Sequence, residues 1–162
     1  MFKLISPSTK WTGFLALIAT LGVVPVLAQS ANFDSLTLSP GFSPADGTVQ
    51  GYTQGSFSLS SIANRDRSNS LCVGFADTTP DHILVLQQDF SQLTLQVNSG
   101  GGDTTLLVQG PNDSTVRCGD DTGRNNTDAS IQDSSWSAGT YKVWVGAFES
   151  GVRYDYTLTV RE

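Results

Sequence analysis

The sequence predicts an all-β fold: an antiparallel, jelly-roll-like β-sandwich of about eight strands. Three observations predict it. Turn-forming residues punctuate the chain after residue 28 about every 8–12 positions, as at Ser99–Gly102 and Gly110–Ser114. Apolar and polar residues alternate in several runs, most clearly Leu93–Val97, Tyr141–Val145 and Tyr154–Val160, which is the period of a half-buried strand. Beyond residue 28 no helix-period segment of useful length occurs.

The first 28 residues stand apart. Lys3 and Lys10 precede an apolar run, Trp11–Val24, which Pro25 ends; Val26-Leu27-Ala28 then places small or branched residues at −3 and −1. This is the layout of a secretory signal cleaved after Ala28. The run is short for a membrane span, and no charged stop-transfer segment follows it. Cleavage leaves 134 of the 162 residues and moves the formal charge from −6 to −8, because two lysines go with the leader. That length suits one domain with a real core. An acidic chain without a Lys/Arg cluster disfavours nucleic acid and anionic membrane surfaces as partners and favours cations.

Residues 29–48 read as an N-terminal strand (Phe33–Leu38) and a loop bearing Pro40, Gly41 and Pro44; residues 49–162 read as the sandwich domain. Val49–Tyr52 and Ser56–Ser60 are short alternating pieces, and Ser61–Ser70 is a polar loop. Leu71–Phe75 is a strand, Asp77–Asp81 a turn, and His82–Gln87 an apolar central strand. Leu93–Val97 and Thr104–Gln109 flank the glycine turn at 99–102. Val116–Gly119 returns after Pro111–Ser114, Asp120–Asp128 is a polar loop, and Ser130–Trp136 is a short strand or an extended connection. The final runs, around Glu149-Ser150-Gly151, read as a hairpin. Burying Tyr141, Val143, Val145 and Tyr156, Leu158, Val160 on one face places Val143 opposite Leu158 and Trp144 opposite Thr157.

Cys72 and Cys118 are the only cysteines. In an exported chain such a pair reads as one disulfide, closing a loop of about 46 residues for roughly 4 kcal/mol in the chain-entropy model.

Three constellations carry chemistry. Pairing Thr104–Gln109 with Val116–Gly119 brings Asp103 beside Asp120 and Asp121, within about 10 Å at strand spacings near 5 Å; Asn125 and Asp128 follow in the same loop. Clustered carboxylates repel unless a cation or an Arg relieves them. Ca²⁺ takes six to eight oxygens and is the candidate ligand. The simpler alternative is a solvated acidic loop partly neutralised by Arg124. Trp144 should point away from the Val143 face, with Phe148 and Tyr154 nearby, as a platform for a sugar or a protein; the alternative is packing under a neighbouring loop. His82, beside Asp81, is the one histidine, and no nucleophile elbow accompanies it.

The runs DTTLLVQGP (Asp103–Pro111), CGDD (Cys118–Asp121) and WSAGTYKVWVG (Trp136–Gly146), with PDHILVL (Pro80–Leu86), resemble the pre-peptidase C-terminal domain family and its short stand-alone secreted bacterial forms. The resemblance spans Leu71–Val160. It implies a sandwich without a catalytic centre, sometimes calcium-bound, serving adhesion or export; no peptidase domain precedes it here. The sequence therefore points to a secreted or periplasmic, non-enzymatic binding or accessory module, monomeric, acting on an extracellular polymer or protein. A lectin-like module using Trp144 is the alternative reading, and a small hydrolase built on His82 ranks third.

Overall fold

The computed structural model describes residues 30–162; the leader and its cleavage point lie outside them. The described residues form eleven strands: β1 (Leu36–Leu38), β2 (Thr48–Tyr52), β3 (Phe57–Ser58), β4 (Phe75–Ala76), β5 (His82–Leu86), β6 (Phe90–Asn98), β7 (Thr104–Gln109), β8 (Val116–Gly123), β9 (Asn126–Trp136), β10 (Gly139–Ala147) and β11 (Asp155–Arg161). Among the described residues no helix is long and apolar enough to cross a membrane. The all-β class holds. The count of about eight strands is corrected to eleven, joined into one continuous sheet rather than two separate ones.

That sheet runs β1-β5-β10-β7-β8-β9-β6-β11-β2, with β3 and β4 appended to β10. It folds over at β8, whose first half pairs with β7 as far as Leu106↔Gly119 and whose second half pairs with β9 from Asp120↔Ser130. Gly119 sits at this corner because a Cβ there would lie 2.3 Å from the backbone oxygen of Ser130, closer than a side chain tolerates. The two halves face each other across one core. Leu84, Leu86, Leu106, Val108, Tyr141, Val143 and Val145 come from one side; Leu93, Leu95, Val97, Ile131, Leu158 and Val160 come from the other. Each fully buried Leu or Val contributes roughly 1.5–3 kcal/mol against exposure. Leu36 and Leu38 of the 29–48 segment belong to this same core, through the parallel pairing of β1 with β5.

The predicted final hairpin does not form. β10 lies between β5 and β7, with Val143↔His82 and Val143↔Val108. β11 lies between β6 and β2, with Leu158↔Val97 and Leu158↔Val49. The inward faces are those the alternation gives, but they meet across the core instead of side by side. Period-2 patterning reports which face is buried and is silent on which strand supplies the neighbouring edge. Two further elements differ. The polar run 120–128 is mostly strand, because an exposed two-stranded ribbon needs no apolar residues; only its tip turns. The predicted strand Leu71–Phe75 is irregular up to β4.

A second layer of packing lies outside the sandwich. The segment between β3 and β4, which starts with a 3₁₀ turn at Leu59–Ser61, covers the outer face of β7 and β10. Leu59, Cys72, Ala76, Leu107, Val116 and Trp144 form a separate buried cluster beneath it. The Cys72–Cys118 disulfide, with Cα atoms 5.3 Å apart, fastens this cover to β8.

Candidate functional site

Three of the five candidate ligands, Asp103, Asp120 and Asp121, come together. Pairing of β7 with β8 brings Asp103, just before β7, up to Asp120 and Asp121, and one carboxylate oxygen from each lies within 4.8 Å of the other two. Two ligands at about 2.4 Å on opposite sides of a common ion are about 4.8 Å apart, so the spacing admits a shared divalent cation of calcium's bond length. The backbone of Asp103 is tied down by a hydrogen bond from Phe148 N–H to its carbonyl, 3.0 Å. The carboxyl of Asp103 is held above its ordinary range by partial burial first, then by the charges of Asp121 and Glu149. Asp120 is raised in the same way by burial, then by Asp121 and Asp103. Among the described residues the four ion pairs within 4.0 Å all lie elsewhere, and none includes Arg124 or these three aspartates.

The other two candidate ligands are placed differently. Asp128 is buried, and its carboxylate accepts hydrogen bonds from the backbone N–H of Ser99, at 2.9 Å, and from the Ser99 hydroxyl. It clasps the 99–102 turn. Asn125 stands exposed in the turn between β8 and β9.

The aromatic platform is not presented to solvent. Trp144 is only 4% exposed because the disulfide-fastened cover lies over the face to which parity assigns it. Among the described residues its indole N–H has no hydrogen-bond partner. Phe148 remains half exposed. Tyr154 is half-buried against the glycine turn, where its ring occupies the space a Cβ at Gly102 would need.

His82 is wholly buried. Its Nδ1 contacts the Asp34 carbonyl at 2.6 Å and its Nε2 the Tyr156 hydroxyl at 2.9 Å. Neither partner is a serine or the Asp81 carboxylate. Burial pushes the His82 imidazole below its ordinary pKa. Asp81 is also buried, accepts from Val145 N–H at 2.8 Å and Asn32 Nδ2 at 3.2 Å, and is pushed up to about 7, chiefly by burial. Together these groups pin the 32–34 segment across the open side of the sandwich, where Phe33 packs edge-on against Tyr52 and Tyr156.

Two features escape sequence reasoning. Arg117 is 2% exposed, bonded to Asp133 through Nε at 2.7 Å and stacked 3.9 Å from the centre of the Trp136 ring. The only signal is a cation where the alternation of β8 turns inward. The second is a shallow trough beside the β2–β11–β6–β9 layer, with two clefts of about 540 and 400 Å³ that share Asn98 and Thr157; the larger also meets Phe33, Gln50 and Tyr52, the smaller Gln96, Thr159 and Asp128. Gln50, Gln96, Thr157 and Thr159 are outward members of alternating strands, which a sequence does not distinguish from ordinary solvated positions.

Comparisons with known proteins can be set beside this geometry. No family model and no curated protein matches the chain. Among solved structures, the chain is similar to the pre-peptidase C-terminal domain of the collagenase from Bacillus anthracis, with 13% identity and a TM-score of 0.42, over 82% of this chain and 99% of that one. It is also similar to PliG of Aeromonas hydrophila, a periplasmic inhibitor of g-type lysozyme, with 19% identity and a TM-score of 0.38, over 78% of this chain and 96% of that one. The first is a member of the family that the motifs resemble.

Proposed function

We propose that this protein is an exported, non-catalytic β-domain that works as a binding or accessory module and takes Ca²⁺ at Asp103, Asp120 and Asp121. The convergence of three carboxylates within 4.8 Å, with no Lys or Arg paired to them among the described residues, carries the calcium reading. Uncompensated like charges at this range cost free energy that a divalent ion recovers. The disulfide supports export, since such bonds persist in oxidising compartments. The burial of His82, with both ring nitrogens engaged, supports a structural role for the one histidine. The motif resemblance to the pre-peptidase C-terminal domain supports the accessory role.

Thermal unfolding in buffered Ca²⁺ tests the ion site. At a hundredfold excess over its Kd, a ligand that binds only the folded state adds about 2.7 kcal/mol, a rise of several degrees in Tm for a domain of this size. Asp121→Asn should abolish that rise. In calcium-free buffer the same change should lower the pKa values of Asp103 and Asp120, because it removes a like charge that raises both. An unchanged Tm at millimolar Ca²⁺ removes the site.

A further inference from the structure

We infer that residues 32–34 are a proton-operated latch: this strap stays closed over the adjacent pair Asp81 and His82 while both are uncharged, and it lets go when either of them ionises. Ionisable side chains are rarely sealed inside a protein, yet Asp81 is 1% and His82 0% exposed. Both bond the strap, whose own residues Asn32 and Asp34 are exposed. On this side a single layer of chain separates the pair from water.

Among the described residues, the hydrogen bonds of the strap run to this pair and to the turn before it. The backbone N–H of Asn32 meets the Pro80 carbonyl at 2.9 Å, and that of Phe33 the Asp81 carbonyl at 2.9 Å. Asn32 Nδ2 donates to the Thr79 carbonyl and to the Asp81 carboxyl, each at 3.2 Å. The Asp34 carbonyl faces His82 Nδ1. Phe33 completes the closure by packing edge-on against Tyr52 and Tyr156.

Neither charged form suits this enclosure. A carbonyl only accepts, so Nδ1 carries the His82 proton and Nε2 accepts from the Tyr156 hydroxyl. A second proton, on Nε2, faces the hydrogen of that hydroxyl. The other groups facing the pair are Asp34 on the strap, Asp77 in the turn before β5 and Tyr156 on β11; β10 contributes the Val145 N–H. The Asp77 charge opposes ionisation of Asp81, and the Asp34 charge favours protonation of His82 less than burial opposes it. None of the four ion pairs among the described residues includes Asp81 or His82. Parting the strap is the shortest route to hydrating a charge formed here. The sandwich beneath keeps its edge, because β1 stays paired with β5 from Leu36 onward. Release draws Phe33 away from Tyr52 and Tyr156 and opens the side between β5 and β2, so the order of this edge follows the pH around the protein.

Amide hydrogen exchange by NMR, from pH 4 to 8 at low urea concentrations, tests this. Protection of the Asn32 and Phe33 amides, corrected for the intrinsic exchange rate, is compared with that of β6, which lies between β9 and β11. The strap amides should exchange through a small opening that hardly depends on urea, and the β6 amides through one with a large urea dependence. His82→Gln keeps a donor and an acceptor and leaves Asp81 to act alone. Strap opening should then rise about tenfold per pH unit between the ordinary value of 3.8 and about 7. Asp81→Asn leaves His82 to act alone, and opening should rise instead as pH falls below 6.5. Equal urea dependence at the strap and in β6 overturns the proposal, as does an Asp81→Asn profile that superimposes on wild type. If either variant fails to fold, the wild-type protein decides. Its Asn32 and Phe33 amide shifts should follow the carboxyl ¹³C titration of Asp81 with a common midpoint, and amide shifts that stay fixed through that titration overturn the latch.

Discussion

Replacing both bridge residues, Cys72→Ala with Cys118→Ala, should expose how much of this fold depends on one covalent link. The bridge spans a sequence separation of 46. Closing a loop of that length removes about 13–14 cal/mol/K from the unfolded chain, or about 4 kcal/mol at 25 °C. For a chain intermediate between the small and large domains for which the relation is calibrated, that corresponds to about 12–20 °C in Tm. The loss falls first on the cover, because Cys72 is buried within its cluster and the bridge fastens that segment to β8. Urea unfolding followed by tryptophan fluorescence is the assay, since Trp144 lies beneath the cover and Trp136 in the main core. The midpoint should fall and the m-value should rise, because the uncrosslinked unfolded chain exposes more surface. A loss below about 1 kcal/mol with an unchanged m-value would refute the reasoning: the covered face would then hold itself together without the link.

Two further predictions address buried groups. Native Asp81 keeps its proton up to about pH 7 whereas its ordinary pKa is 3.8. Its contribution is therefore fully present below about pH 4 and lost as pH rises through about 7, on the order of 4 kcal/mol in all. His82 acts in the opposite sense: with its native pKa lowered from 6.5, stability is lost as pH falls below that value. Asp81→Asn should remove the alkaline-side loss and leave only the His82 slope in a series of urea midpoints from pH 4 to 8; curves parallel to wild type would contradict this. Trp144→Ala should cost about 3–5 kcal/mol as a core truncation, while Trp144→Phe should stay within about 1.5 kcal/mol, because losing volume is offset by removing an unpaired indole N–H. Near-neutral behaviour of the alanine variant in chemical denaturation would mean that the cover does not seal this face.

Much of the candidate site was legible because its causes are local. Asp103, Asp120 and Asp121 flank a single hairpin, so pairing β7 with β8 brings them together whatever the rest of the sheet does. Asp128 stands apart from the three because its carboxylate is taken by Ser99, a partner that only the fold brings to it. Alternation gives Trp144 its face, but the sequence does not show that residues 59–76 fold back over that face. The trough was invisible for a similar reason: Gln50, Gln96, Thr157 and Thr159 lie far apart in sequence and become neighbours only through register.

By itself the sequence determined the all-β class, the inward parity of Leu93–Val97, Tyr141–Val145 and Tyr156–Val160, and the one possible disulfide. Tertiary structure decided which strands lie side by side, where the sheet folds over, and which outer face is covered. The division has a physical origin. Alternation is set by each strand's own pleat and by the need to bury one side. A strand's backbone, by contrast, is satisfied by any neighbour of suitable length, so the choice among neighbours falls to the packing of the whole core.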